Sequence, residues 1–155
     1  KIGDEIKGII NWEKRYRYMK MHTALHLLCG VIPLAVTGGQ IGEEKSRLDF
    51  NADKNLINKE EIQVKLNEIL KDNHEVSYHW INYDELMKKT ELVRTMSVKP
   101  PITDGKVRLV KIGNIDLQAC GGTHVKKTSE IGHIDIAKIE NKGKMNRRIN
   151  ININD

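Results

Sequence analysis

Two short motifs, far apart in the chain, make sense only if the fold brings them together. HTALHLL, residues 22–28, sets His22 and His26 four residues apart. QACGGTHV, residues 118–125, sets Cys120 and His124 four apart, joined by Gly121, Gly122 and Thr123. On a helix, residues four apart stack on one face. Thiolate and imidazole are the preferred ligands of zinc, and glycines let a backbone wrap closely around a ligand. Either pair alone has an ordinary reading, as a half-exposed helix face or a chance neighbourhood. The chain has six histidines and two cysteines, and with so few, both pairs together point to one shared zinc ion. Residues 22–26 must then lie against 120–124, and every element between them has to allow that closure.

The neighbouring residues narrow the reading. The residue after His22 is Thr23, so the glutamate base of an H-E-x-x-H metalloprotease is missing. Cys29 follows His26 on the same helix stripe, but it stands about 10 Å along the axis from His22 at ~1.5 Å per residue. It reads as a small buried apolar residue. His74, His79 and His133 sit in strand-like contexts without a partner and read as structural or exposed.

Periodicity places these motifs on elements. Residues 12–32 carry apolar side chains at helical spacing, among them Met21, Leu25, Leu28 and Ile32, and Pro33 should end the helix. TGGQIGEE, 37–44, reads as a loop, and SRLDFN, 46–51, as a strand. Asn58 with Glu61 looks like a cap before a helix over 59–72. VSYHWIN, 76–82, reads as a strand and YDELMKK as a short helix. KPPITDG, 99–105, reads as loop because two prolines fit neither a helix nor a central strand. KVRLVKIG, 106–113, is a strand. IGHIDIAKIE, 131–140, and NRRININI, 146–153, alternate as strands around an NKGK turn. Residues 5–10, EIKGII, look like a strand with nothing before it to pair with, so a longer natural protein is expected. The order implies an α+β fold, with helices on one face of a largely antiparallel sheet.

A chain of 155 residues corresponds to about one domain. No apolar run approaches the ~20 residues that span a bilayer, and the N-terminus has no signal-peptide core. Two cysteines make no disulfide framework, which points to a reducing, cytoplasmic setting. The net charge of +5 favours a polyanionic partner. Lys126 and Lys127 follow His124 directly. Lys138, Lys142, Lys144, Arg147 and Arg148 cluster further on, a pattern that suits phosphates as well as it suits a solvated hairpin.

HTALHLL and CGGTH together resemble the two zinc motifs of alanyl-tRNA editing proteins, the free-standing relatives of the alanyl-tRNA synthetase editing domain. TGGQIGEEKSRLDF, 37–50, and SEIGHIDIAKIENKGKMNRRINI, 129–151, resemble that family's glycine-containing loop and terminal hairpin. The resemblance implies a synthetase editing-domain-like fold and metal ligands His22, His26, Cys120 and His124. Thr23 would face the aminoacyl pocket, and Gln40 would match a pocket glutamine. Residues 1–11 would be the remnant of an N-terminal β-barrel and 12–155 the zinc-binding editing domain. The implied activity is hydrolysis of tRNA(Ala) mischarged with serine or glycine, with Zn2+ as cofactor. Lys126, Lys127, Lys142, Lys144, Arg147 and Arg148 would contact the RNA.

The chemistry is consistent with that expectation. A pocket sized for alanine cannot strongly exclude glycine and rejects a small hydroxyl only in part, which calls for a second hydrolytic site. Thr23 could hydrogen-bond the serine hydroxyl, or bond its own helix backbone. Catalytic zinc usually keeps one position open, and four protein ligands leave none. Either a fifth position or a departing ligand admits water, or the ion only orients substrate. Two other functions remain: a zinc-stabilised RNA-binding module without catalysis, and a threonyl-tRNA-synthetase-like editing domain.

Overall fold

The computed structural model of the chain describes residues 1–53, 56–96 and 99–154. Helix α1 runs Trp12–Val31, and the Asn11 side chain accepts from the Lys14 N–H at its start, satisfying one orphan donor. From Met21 to Cys29 nearly every residue is buried, so its second half is a core helix. No basic residue sits in its last turn. Arg94 supplies the cation instead, donating to the carbonyls of Cys29 at 2.8 Å and Ile32 at 2.9 Å.

After α1 come strands β1 (Val36–Gln40) and β2 (Ser46–Asn51), helix α2 (Lys59–Lys71) and strand β3 (Val76–Asn82). A short helix α3 (Tyr83–Leu86) precedes β4 (Ile102–Thr103), β5 (Lys106–Ile112) and β6 (Asp116–Ala119). The chain closes with a 3-10 turn (Thr128–Ile131), β7 (His133–Asn141) and β8 (Asn146–Asn154). The first antiparallel sheet has the order β1-β2-β8-β7. In the second, β5 pairs with β3 on one edge and with β4 and β6 on the other.

The α+β reading stands, and the strands divide between two sheets. Ile149, Ile151 and Ile153 of β8 are buried on one face, each worth roughly 1.5–3 kcal/mol of apolar burial. They alternate with Asn150 and Asn152, as a strand's period of two requires. Helix α2 guards the edge of this sheet. Asn67 donates to Ile134 O at 2.8 Å and accepts from Ile134 N at 3.1 Å, while Gln63 accepts from Ile136 N at 2.6 Å. These bonds occupy edge groups that would otherwise template another chain.

The two sheets meet through α1. A Cβ on Gly30 would lie 2.7 Å from the Ile115 carbonyl, so glycine here lets the helix press against the β5–β6 turn. That approach brings β6 alongside His26.

Four local expectations change. Residues 5–10 form no strand and are exposed, with no ladder partner among the described residues. VTGGQ is strand β1 rather than loop, since glycines at a sheet edge still pair. Ile102–Thr103 pairs with Lys106 and Val107 across Asp104 and Gly105, both at positive φ. That is the Asp-Gly hairpin signal, which the neighbouring prolines hid. Strand β6 lay inside the stretch approaching the cysteine and was too short to show an alternation.

Candidate metal centre

His22 and His26 project from one face of α1, and the loop after β6 brings Cys120 and His124 to meet them. One donor atom from each of the four lies within 4.8 Å of the other three. Cys120 Sγ is 3.5 Å from His22 Nε2 and 3.5 Å from His124 Nε2. The three rings are in mutual contact, with centroids 4.2–5.1 Å apart. Such a group could hold a metal ion.

The surroundings fix each ring. His26 Nδ1 lies 2.9 Å from Asp116 Oδ2, itself held by Gln118 Nε2 at 2.7 Å. His124 Nδ1 lies 3.1 Å from Thr23 Oγ1. His22 Nδ1 lies 3.3 Å from the Thr123 carbonyl. With each Nδ1 occupied, each Nε2 is left to face the common centre, the usual way metal-bound histidines are oriented. Gly122 packs so closely that a Cβ there would lie 2.6 Å from His22 Nδ1. Gly122 is therefore needed for close approach to the imidazole, whereas Gly121 packs against Pro101.

The electrostatics favour donors ready for a cation. Burial pushes the Cys120 thiol up, but hydrogen bonds with His124, His22 and His26 outweigh it and bring it to about 3. Burial, joined by the charges of His26 and His22, brings His124 down to about 3. Burial also opposes charge on His26, but its bonds to Asp116 and Cys120 raise it to about 9. Cys120 and His124 thus take the protonation states that ligation demands, while His26 carries a proton that a bound cation would displace. Cys29 differs: burial, then the Asp116 charge, push its thiol up to about 12. It stays protonated in the core and stands outside the four-residue group.

Beside the cluster opens a cavity of about 300 Å³. His22, His26 and Cys120 form part of its wall, and Leu25, Val36 and Leu48 make an apolar side. Gln40 stands exposed at the end of β1 on its lining, with Gly38 and Gly39 behind. Thr23 is not among the lining residues. It is fully buried behind His124, donating to Met19 O at 2.9 Å and accepting from Val125 N at 3.2 Å. Its hydroxyl is therefore occupied by the fold.

The basic residues separate. Lys126, Lys127, Lys142 and Lys144 are exposed. Arg147 is buried, its guanidinium donating to the Gly143, Asn146 and Lys144 carbonyls at the hairpin turn. Arg148 forms a two-pronged pair with Asp49, both bonds 2.8 Å. These two arginines brace the sheet, while the four lysines remain accessible. Asp116, Gln118 and Arg108 were missed from sequence. The acid and amide just before CGGTH were the available signal.

A half-buried His-His-Cys-His cluster opening on a small apolar cavity, carried by an α+β fold, is consistent with an editing-domain-like architecture. A family profile described as "Threonyl and Alanyl tRNA synthetase second additional domain" matches residues 107–150. The chain is 40% identical over 154 residues to alanyl-tRNA editing protein AlaX-M of Methanosarcina acetivorans, covering 96% of this chain and 63% of that protein. It is 33% identical over 148 residues to alanyl-tRNA editing protein AlaX-L of Pyrococcus horikoshii, covering 93% and 36%. It is likewise 33% identical over 148 residues to an alanine–tRNA ligase of Saccharolobus islandicus, covering 90% and 16%. Over nearly its whole length the chain is similar to alanyl-tRNA editing proteins. It spans a little under two thirds of the length of the AlaX-M relatives, 61–64%.

Proposed function

We propose that this chain is the hydrolytic domain of a trans-editing deacylase that removes serine, and also glycine, from mischarged tRNA(Ala) at a zinc site. The observation that carries the reading is the convergence of His22, His26, Cys120 and His124 beside a cavity of about 300 Å³, whose wall takes in the first three of them. Zinc fits the donor set. A tetrahedral zinc with bonds of ~2.3 Å to sulfur and ~2.0–2.1 Å to nitrogen spaces sulfur and nitrogen about 3.6 Å apart. The two sulfur–nitrogen separations here are 3.5 Å. When bound, the ion supplies Lewis acidity toward the ester carbonyl or toward a water.

The chain's own residues do the rest. Asp116, Thr23 and the Thr123 carbonyl hold the three rings, so the site is set before substrate arrives. Leu25, Val36 and Leu48 exclude water from one side of the cavity, and Gly38 and Gly39 keep that wall shallow. Gln40 at the lining and Gln118 at the base are the amides able to meet the substrate's ammonium or hydroxyl group. Thr23 serves by orienting His124. The four exposed lysines attract the phosphate backbone, with affinity falling steeply in salt.

The test compares tRNA(Ala) charged with serine, glycine or alanine, with and without chelator. Serine release that stops on chelation and returns with zinc is the expected result. A folded, zinc-loaded protein that leaves the serine ester intact overturns the proposal in favour of a non-catalytic RNA-binding module.

A further inference from the structure

One face of the second sheet runs from the metal centre to open solvent. Cross-strand partners share a face, and the register pairs Asp116 with Ile112, Gln118 with Val110, Tyr78 with Val110, and Trp80 with Arg108. At the inner end Asp116 and Gln118 reach His26 and the cavity wall. At the outer end Arg108 turns back to the CGGTH loop. Its Nε donates to Cys120 O at 3.0 Å and its Nη2 donates to Gly122 O.

That same guanidinium lies 4.9 Å from the centroid of the Tyr78 ring. Tyr78 is 45% exposed and Trp80 is 56% exposed. Two residues apart on a strand, they stand about 7 Å from one another. Large aromatics left in water on a strand next to a site call for a binding partner. Cations lie at the start of the same strand, where the Lys126–Lys127 backbone runs alongside Glu75 and Val76: Val76 N donates to Lys126 O at 2.8 Å, and Glu75 and Lys127 form a backbone β-bridge. Aromatic rings with bordering lysines, one guanidinium away from the metal-binding loop, match what single-stranded nucleic acid recognises: stacking for bases and cations for phosphates.

We propose that Tyr78 and Trp80 form a stacking platform for the unpaired 3′-terminal bases of the aminoacylated RNA, with Lys126 and Lys127 on its phosphates. This rests on the deacylase reading, because the ester must reach the metal centre while its bases are held outside. Arg108 couples the two sites, since it both touches Tyr78 and fixes the carbonyls of the ligand loop.

The chain has two tryptophans, so Trp12→Phe leaves Trp80 as the sole indole reporter. An uncharged oligoribonucleotide ending in CCA should quench its emission saturably, with or without chelator. An abasic oligomer of equal charge should not. Trp80→Ala should raise KM for serine-charged tRNA(Ala) about fivefold or more, as expected for loss of one base stack, with kcat within about twofold. Trp80→Phe should restore KM. Absence of quenching, equal quenching by the abasic oligomer, or an unchanged KM in Trp80→Ala overturns the platform. Quenching without serine release keeps the platform and refutes the deacylase. Serine release without quenching does the reverse.

Discussion

Substituting Gly122 tests the site without altering any metal ligand. The Cβ of Gly122→Ala would lie 2.6 Å from His22 Nδ1 and also crowd Cε1 of the same ring. Ordinary contact begins near 3.5 Å, so the imidazole must retreat by about 1 Å. Metal–ligand distances tolerate about ±0.2 Å, and the required shift is several times that. Gly122 is not among the residues with positive φ, so alanine adds no backbone strain and the damage is confined to His22. Perturbing a partner that merely orients a ligand costs about 10–100-fold in metal affinity. Losing one of four ligands should cost at least the upper end, about 100-fold, or ~2.8 kcal/mol. Zinc affinity would be read by competition with a chromophoric chelator, and ligand number by the visible spectrum of the cobalt-substituted protein. His22→Ala should give the same loss, and the double variant no more than either, because both remove one ligand. Gly122→Ala with undiminished affinity, or with losses that add to those of His22→Ala, would refute the geometry.

Asp116→Asn should weaken zinc binding about 10–100-fold, because it removes the charge that orients His26; the same competition assay reads it. Thr23→Val should also lower zinc affinity, since His124 Nδ1 loses its partner at 3.1 Å; unchanged affinity with slower serine release would instead return Thr23 to a role in the pocket. Arg94→Ala should lower stability by about 2–3 kcal/mol in denaturant titration, from lost charge-assisted bonds at the end of α1. Hydrogen bonds from Arg148, and then from Arg47, hold the Asp49 carboxyl below its usual range of about 3.8. Its stabilisation is therefore present above that pH and is lost as pH falls through the lower folded value. In chelator, the stability gap between the native chain and Asp49→Asn should narrow on acidification below about pH 4; a gap that widens reverses the sign of this pair's contribution.

Much of the candidate site could be read in the residues themselves. A helix period fixes that His22 and His26 share a face, and the chemistry of imidazole and thiolate names the class of cation. The end of α1 and the start of α2 follow from Pro33 and Asn58, because caps and breakers act over one turn. What surrounds the ligands was less legible. Thr23 looked available because a threonine in a motif does not reveal that its hydroxyl already has Met19 O and Val125 N as partners. Arg147 and Arg148 looked like one basic patch with the lysines. Burial at the turn and pairing with Asp49, 99 residues away, take them out of it.

By itself the sequence determined which local elements form and which side chains could ligate a metal, because hydrogen-bond caps, periodicity and donor chemistry are short-range. Only the tertiary structure decided which loop meets which helix, which hydroxyl and carboxylate stand behind the imidazoles, and which aromatics remain in water. Those outcomes depend on close packing between segments distant in sequence, as where Gly30 meets Ile115 and Gly122 meets His22. No window of neighbouring residues contains that information.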